Sequence, residues 1–100
     1  MIRLTVLYHA PRDPDAFVDN YQNTHVPLAN KIPDMVRWTW GKCLPGPDGS
    51  PPPYFLTAEL VWESAEVMQA SLSSPDGAAA TGDVPNFATG GATMVVSAGH

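Results

Sequence analysis

One stretch between Asp13 and Pro33, DPDAFVDNYQNTHVPLANKIP, constrains the fold more than any other part of the sequence. Asp13 is a good N-cap because its carboxylate can accept a hydrogen bond from an amide of the first helical turn. Pro14 suits the first helical position, where an amide would be unpaired in any case. Asp15 adds negative charge at the positive end of the helix dipole. The sequence therefore predicts a helix that begins at Asp13 and runs to about Thr24.

The side chains of this helix share one narrow stripe. At about 100° per residue, the residues within a stripe roughly 100° wide are Phe17, Tyr21, Thr24, His25 and Leu28. Pro27 removes a backbone donor and disfavours helical geometry at Val26. We therefore expect the helix to end near Thr24 and His25, where a ring can leave the core and face a cavity.

Three further segments alternate with a period of two, which is typical of strands. They are residues 2–9, 35–44 and 54–62. The second and third are separated by PGPDGSPPP, whose turn-forming residues predict a long hairpin connection.

The last third of the chain predicts one capped helix, a second helix start and a strand. Ser64 is a candidate N-cap, and Ser74 begins a Ser-Pro-Asp sequence that favours a new helix. We expect residues 83–91 to be irregular and Ala92–Ala98 to form the final strand.

The resulting order is strand, helix, strand, strand, helix, strand. This order predicts a single α+β domain over residues 1–100, with a ferredoxin-like βαββαβ arrangement: a four-stranded antiparallel sheet with helices on one face. Two such units can pack sheet to sheet. Leu7, Phe55 and Val61, which lie on the less regular strand faces, favour that packing.

Composition excludes several classes of function. The net charge is −5 with five basic residues, which argues against nucleic-acid binding because phosphates require neutralisation. No apolar run approaches the roughly 20 residues that span a bilayer, and the start lacks the features of a signal peptide. We therefore expect a cytoplasmic protein with no membrane association.

Cysteine and histidine spacing predicts no metal site. Cys43 is the single cysteine and forms neither an internal disulfide nor a ligand cluster. The three histidines are dispersed and match no zinc pattern. His100, as the terminal residue, is expected to be disordered.

His25 and Tyr21 are the candidate catalytic residues. A histidine titrates near neutrality and can act as general acid or base, and Tyr21, one turn earlier, can donate a hydrogen bond from its phenol. Thr24 is adjacent to His25. The alternative is that His25 only caps the helix C-terminus, where a positive ring interacts well with the dipole. Spacing alone favours this second interpretation.

Other polar and aromatic residues have weaker assignments. His9 ends the first strand and is a candidate for the same cavity, with a solvated strand end as the alternative. Arg37 and Glu59 lie on strands and could form an ion pair, since a buried charge is costly unless paired. The side chains expected to shape an apolar ligand pocket are Phe17, Leu28, Trp38 and Phe87.

The start of the chain, YHAPRDPDAFVDNYQNTHVPLANKIP, resembles the EthD family. The family pattern Tyr-x-x-Thr-His-x-Pro-Leu is matched by Tyr21, Thr24, His25, Pro27 and Leu28. The later segment DVPNF is also similar to the family, so the resemblance covers nearly the whole chain.

The resemblance implies a homodimer in which two ferredoxin-like units face each other through their sheets as an α/β barrel. It also implies a pocket between sheet and helices, with the motif histidine facing it. Similar proteins act without a cofactor on aromatic polyketides, as dehydratases, decarboxylases or oxygenases.

Three functions follow as hypotheses. The first is a cofactor-independent oxidoreductase- or lyase-type enzyme that acts on a hydrophobic, aromatic or carbonyl-bearing molecule, with His25 as general acid/base. The second is a non-catalytic binding or accessory protein for a hydrophobic compound in a degradation or polyketide pathway. The third is a structural oligomer, which predicts no pocket. A cavity bordered by both His25 and Tyr21 would argue against the third.

Overall fold

The computed structural model describes residues 1–99 and contains one antiparallel sheet of four strands. The elements in chain order are β1 (Ile2–Tyr8), α1 (Pro14–Asn20), a π-helical segment (Tyr21–His25), α2 (Val26–Ala29), β2 (Arg37–Lys42), β3 (Leu56–Trp62), α3 (Ala65–Ser73), α4 (Pro75–Phe87) and β4 (Ala92–Ala98). The spatial strand order is β2-β3-β1-β4. The predicted ferredoxin-like α+β fold is confirmed, and the expectation for His100 lies outside the described residues.

The central strand β1 sets the register of the sheet. It pairs with β3 from Ile2 opposite Trp62 to Tyr8 opposite Leu56, and with β4 from Ile2 opposite Ala98 to Tyr8 opposite Ala92. Strand side chains alternate between two faces, so one set faces the helices. The buried members of this set on β1 and β3 are Leu4, Val6, Tyr8, Leu56, Ala58, Leu60 and Trp62.

Side-chain caps begin the helices as the sequence predicts. The Asp13 carboxylate accepts a hydrogen bond from the Ala16 amide at 3.1 Å, and the Ser64 hydroxyl accepts one from the Val67 amide at 3.2 Å. Ser74 follows α3 directly and caps α4, because its hydroxyl accepts from the Gly77 amide at 3.1 Å.

The prediction that Pro27 ends the first helix is wrong. Val26 keeps helical dihedral angles, φ −58° and ψ −46°, and its amide donates to the carbonyl of Tyr21, five residues earlier. The helix therefore widens into a π turn and continues as α2. Pro27 falls in the first turn of α2, where a missing amide costs little.

The expectation of irregular structure over residues 83–91 is also wrong for its first half. Helix α4 continues to Phe87 with Pro85 inside it. Pro85 lies in the last turn, so few hydrogen bonds follow it. The buried Phe87 ring packs against the rings of Tyr8 and Phe17, with centroids 5.5 Å and 5.1 Å away, and this packing stabilises the turn.

The other face of the sheet carries no helix among the described residues. Here Arg3 Nε lies 3.2 Å from Glu59 Oε1, so the suggested pairing of Glu59 with Arg37 is replaced by one with Arg3. Strand β4 is an edge strand of the sheet that residues 1–99 form. Of its exposed apolar residues, Val95 lies on this face, and Met94 and Val96 lie on the helix-facing side. Within residues 1–99, no helix is both long and apolar enough to cross a membrane.

Candidate active site

An apolar cavity of about 110 Å³ lies between the helix-facing side of the sheet and the helices above it. Tyr21 and His25 border it together from the π-helical segment. The sheet contributes Leu4, Val6, Tyr8, Trp38, Ala58, Leu60 and Met94. The remaining wall is formed by Ala29, Ile32, Leu72, Ala80, Thr81 and Val84. A cavity bordered by both His25 and Tyr21 argues against the structural hypothesis, which predicts no pocket.

The π-helical segment places Tyr21 and His25 at its two ends. Their rings lie 5.0 Å apart between centroids, and both residues are buried. Short π-helical turns are frequent at functional sites because the extra residue re-aims the side chains that follow. The rings of Phe87 and Trp40 pack on this pair, at 4.8 Å from His25 and 5.0 Å from Tyr21 respectively.

A buried carboxylate holds the His25 ring. Nδ1 of His25 lies 3.1 Å from Oδ2 of Asp83, with side chains 9% and 7% exposed. A carboxylate only accepts hydrogen bonds, so we assign the hydrogen of the neutral ring to Nδ1. The second carboxylate oxygen of Asp83, Oδ1, accepts a hydrogen bond from the side-chain amide nitrogen Nδ2 of Asn86 at 3.1 Å. Among the described residues, Nε2 of His25 has no hydrogen-bond partner.

Burial determines the protonation state of His25. Removal of the ring from water lowers its pKa below the ordinary 6.5, and the hydrogen bond and charge of Asp83 oppose this shift without cancelling it. A neutral imidazole with its hydrogen on Nδ1 has a free lone pair on Nε2. Such a ring is suited to take a proton from a bound molecule at neutral pH.

Two phenols lie next to this imidazole. Burial raises the pKa of Tyr8 to about 12 and raises the pKa of Tyr21 still further, with the neighbouring Tyr8 as the second cause. The two hydroxyls interact, but no hydrogen bond of good geometry joins them. Within residues 1–99, the Tyr21 hydroxyl is buried with no hydrogen-bond partner. A buried unpaired hydroxyl costs about 1–3 kcal/mol, so a ligand acceptor at this position would recover that free energy.

The structure brings three of the predicted site residues to the cavity: His25, Tyr21 and Trp38. Phe17 and Phe87 instead line a neighbouring groove with Arg12, and they support the site through ring packing.

The other three predicted residues lie away from the cavity. Thr24 is exposed, because the π turn rotates it off the stripe that Tyr21 and His25 keep. Leu28 is half-buried and packs against the core without lining the cavity. His9 shares a hydrogen bond of 2.9 Å with the Thr93 hydroxyl, at the end of β1.

Sequence reasoning missed Asp83, Asn86 and Tyr8 as site residues. The alternation of residues 2–9 indicates only that Tyr8 lies on the same strand face as Leu4 and Val6. Asp83 and Asn86 belong to the DVPNF segment, which was expected to be irregular. Asp83 lies three positions after Ala80 and four before Phe87, which is the spacing of residues on one buried stripe of a helix. This spacing is the sequence signal that could have identified Asp83 as a buried residue.

Metal ligation has no support in the described part of the chain. No group of three or more His, Cys, Asp or Glu side chains converges anywhere within residues 1–99. Among the described residues, the polar side chains that line the cavity are one imidazole, two phenols and the Thr81 hydroxyl, which suit an organic ligand better than a cation.

Comparison with known proteins identifies relatives over nearly the whole chain. The model of the EthD domain matches residues 9–91. An uncharacterized 11.0 kDa protein of Rhodococcus erythropolis, from the thcB-thcC intergenic region, is 43% identical over 95 residues, which cover 95% of this chain and 91% of that protein.

Solved structures agree with this relationship. An ethyl tert-butyl ether (EthD) family protein from Bacillus halodurans superposes with a TM-score of 0.92 at 29% identity, over 100% of this chain and 99% of that one.

Two enzymes share the fold at lower identity. A hydroxynitrile lyase from Passiflora edulis gives a TM-score of 0.74 at 18% identity, covering 96% of this chain and 90% of the lyase. The cofactor-independent oxygenase SnoaB from Streptomyces nogalater gives 0.67 at 15% identity, covering 99% of this chain and 92% of the oxygenase. At such identities the likeness shows the fold alone.

Proposed function

The chain belongs to the EthD family, and from this premise we propose that it is a cofactor-independent enzyme that performs acid/base chemistry on a hydrophobic small molecule. The molecule is aromatic or bears a carbonyl group, and the reaction is of lyase or oxidoreductase type. One observation carries the proposal. His25, which is paired with the buried Asp83, borders an apolar cavity beside a buried phenol that has no partner within residues 1–99.

His25 is the proposed general base. Its Nε2 takes a proton from a C–H or O–H group of the bound molecule, and the ring becomes a cation. Asp83 keeps the Nδ1 hydrogen and stabilises that cation by its charge, as a carboxylate does beside a catalytic imidazole. Nε2 then returns the proton to the product as general acid, so His25 ends the cycle neutral.

Tyr21 is the proposed hydrogen-bond donor to the ligand oxygen that gains negative charge. Its hydroxyl is preorganised by burial, so little reorganisation is needed when charge develops, which is the condition for effective electrostatic stabilisation. Its raised pKa keeps the phenol protonated and therefore able to donate.

The fold relatives support such chemistry without fixing the reaction. One is a hydroxynitrile lyase and another a cofactor-independent oxygenase, and both are built on the same sheet and helices. Fold alone does not transfer an activity, so the proposal depends on the His25 site of this chain.

The test begins with the molecules that this protein retains. Native mass spectrometry of the purified protein identifies a bound compound, and turnover of that compound is followed for wild type and His25→Gln. We expect the variant to lose about 10²- to 10⁴-fold in rate, the usual contribution of a positioned acid/base group. The matched control is His9→Gln, since His9 lies outside the cavity and we expect its rate to be unchanged.

The same experiment separates the accessory-protein alternative. A binding protein would retain the compound, release no product over time, and lose only modest affinity in His25→Gln. Retention without turnover in the wild type would replace the enzymatic proposal by the accessory one.

A homodimer through facing sheets is the proposed assembly. The helix-free face carries Leu7 and Val95, and Val95 is 46% exposed, whereas Val61 on the same face is already buried. A second copy of the sheet would cover this apolar surface. We expect sedimentation at twice the chain mass, and Val95→Lys to shift it to the monomer. A cytoplasmic location remains part of the proposal.

A further inference from the structure

The size of the cavity bears on the size of its ligand. Its volume is about 110 Å³, whereas an apolar cavity of about 150 Å³ in another protein binds one benzene molecule. A fused ring system therefore does not fit beside His25 and Tyr21. A single ring is therefore the upper limit of what this volume encloses, with any substituent toward the open side of the cavity.

The lining of the cavity bears on the charge of the ligand. Among residues 1–99, no Lys or Arg borders this space, and its polar groups are the phenols, the imidazole and the Thr81 hydroxyl. Burial of an unpaired anion costs several kcal/mol or more. The carboxylate of Asp83 behind His25 adds to the cost. We therefore expect the cavity to bind a neutral ligand.

The two ends of the cavity differ. At the β2 end, the Trp38 indole donates from Nε1 to Oδ1 of Asn30 at 3.0 Å, so it is held to the residue that follows α2. At the opposite edge of the sheet, Met94 on β4 also borders the cavity and is 50% exposed. The Trp38 indole therefore forms the wall of the cavity at the β2 edge.

We propose that the cavity takes a neutral molecule of single-ring size with one hydrogen-bond acceptor, and that Trp38, held by Asn30, sets this limit. The proposal rests on the proposed function in one respect only: the Tyr21 hydroxyl donates the hydrogen bond to the acceptor atom of the ligand. The size limit belongs to Trp38 and does not depend on turnover.

Binding of three defined probes tests the proposal. Acetophenone is a neutral ketone with one ring, 2-acetonaphthone adds a second fused ring, and benzoate keeps one ring but carries a charge. Affinities are measured by amide NMR titration of wild type, Trp38→Leu and Asn30→Ala. Thr39→Ala is the matched control, because Thr39 is the next residue of β2 and its side chain lies on the opposite face.

We expect wild type to bind acetophenone at least tenfold more tightly than either other probe. In Trp38→Leu, the affinity for 2-acetonaphthone should come to within threefold of the affinity for acetophenone. In Asn30→Ala, the ratio of these two affinities should change in the same direction but by less. Thr39→Ala should keep the wild-type ratio. Equal binding of the two ketones by wild type, an unchanged ratio in Trp38→Leu, equal binding of benzoate, or no ketone binding at all would overturn the proposal.

The same titrations in His25→Gln separate the two proposals. If the probe preferences survive while His25→Gln retains full turnover of the native compound, the acid/base role fails and the size limit stands. If His25 proves essential for turnover but the two ketones bind equally, the size limit fails and the acid/base role stands.

Discussion

Asp83 accepts a hydrogen bond at 3.1 Å from Nδ1 of His25, a residue 58 positions earlier in the chain. This contact joins the end of the π-helical segment to the last third of α4, and both side chains are buried. It orients the ring and leaves Nε2 as the nitrogen available to a ligand. The chemistry proposed for the site depends on this one contact.

Tyr21→Phe should leave the fold as stable as wild type or stabilise it by about 1 kcal/mol. The Tyr21 hydroxyl is buried with no hydrogen-bond partner within residues 1–99, and removal of an unsatisfied buried polar group removes its desolvation cost. Turnover of the native compound should fall at least tenfold, since the donor is lost. Urea unfolding gives the free energy. A destabilisation above 1 kcal/mol would show that the hydroxyl already has a partner in the free protein.

Stability should fall as the pH decreases below about 6.5. Burial lowers the folded-state pKa of His25 below that ordinary value, so between the two pKa values the unfolded chain binds more protons than the folded one, and acid favours unfolding. The loss should stop once the pH is below the folded-state pKa. The measurement is the free energy of unfolding from pH 8 to pH 5.

The control for this pH dependence is a pair of histidine variants. His25→Gln should remove the part of the slope that begins near pH 6.5, while His9→Gln should keep it. Equal slopes in wild type and His25→Gln would contradict a lowered pKa for His25.

Two glycines of α4 should respond in opposite ways to alanine. A Cβ on Gly77 would overlap the carbonyl oxygen of Ser71 and the backbone of Leu72, because α4 starts directly against the end of α3. Gly77→Ala should therefore destabilise the protein by about 1–3 kcal/mol. A Cβ on Gly82 meets no atom within 4 Å, so Gly82→Ala should stabilise by up to about 1 kcal/mol through helix propensity. Thermal unfolding of both variants measures the difference, and a Gly77→Ala variant at least as stable as wild type would refute the close α3–α4 junction.

Asp83→Asn should reduce turnover of the native compound by about 10²-fold or more. The amide keeps the shape but not the charge that stabilises the imidazolium, and it lets the ring adopt the other tautomer. Asn86→Ala should give a smaller loss, since Asn86 acts only by holding Asp83 at 3.1 Å. Rates across pH 5–9 measure both effects. A full rate in Asp83→Asn would mean that the carboxylate is only structural.

Much of the fold could be predicted because it depends on local signals. The two faces of β1, the caps at Asp13 and Ser64, and the bounds Ala92–Ala98 of β4 each follow from alternation or from one side-chain contact within a few residues. The errors lie at Pro27 and Pro85. Pro27 falls in the first turn of α2, where a missing amide costs little, and at Pro85 the packing of the buried Phe87 ring stabilises the last turn of α4.

The site was harder to predict than the fold. His25 and Tyr21 were identified from spacing and motif, since they lie one turn apart. Asp83 was missed because its partner is distant in sequence, and no local pattern specifies a pair that forms only when α4 packs on the π-helical segment. Thr24 was misplaced because the π turn changes the helical period on which the stripe depended.

The most direct test of the account is the state of the His25 ring in the free protein. Long-range ¹H–¹⁵N correlation spectra across pH 4–9 report both the tautomer and the pKa. We predict a neutral ring at pH 7 with its hydrogen on Nδ1, and a pKa below 6.5. A hydrogen on Nε2, or a pKa above that value, would contradict the claim that Asp83 holds His25 as a base facing the cavity.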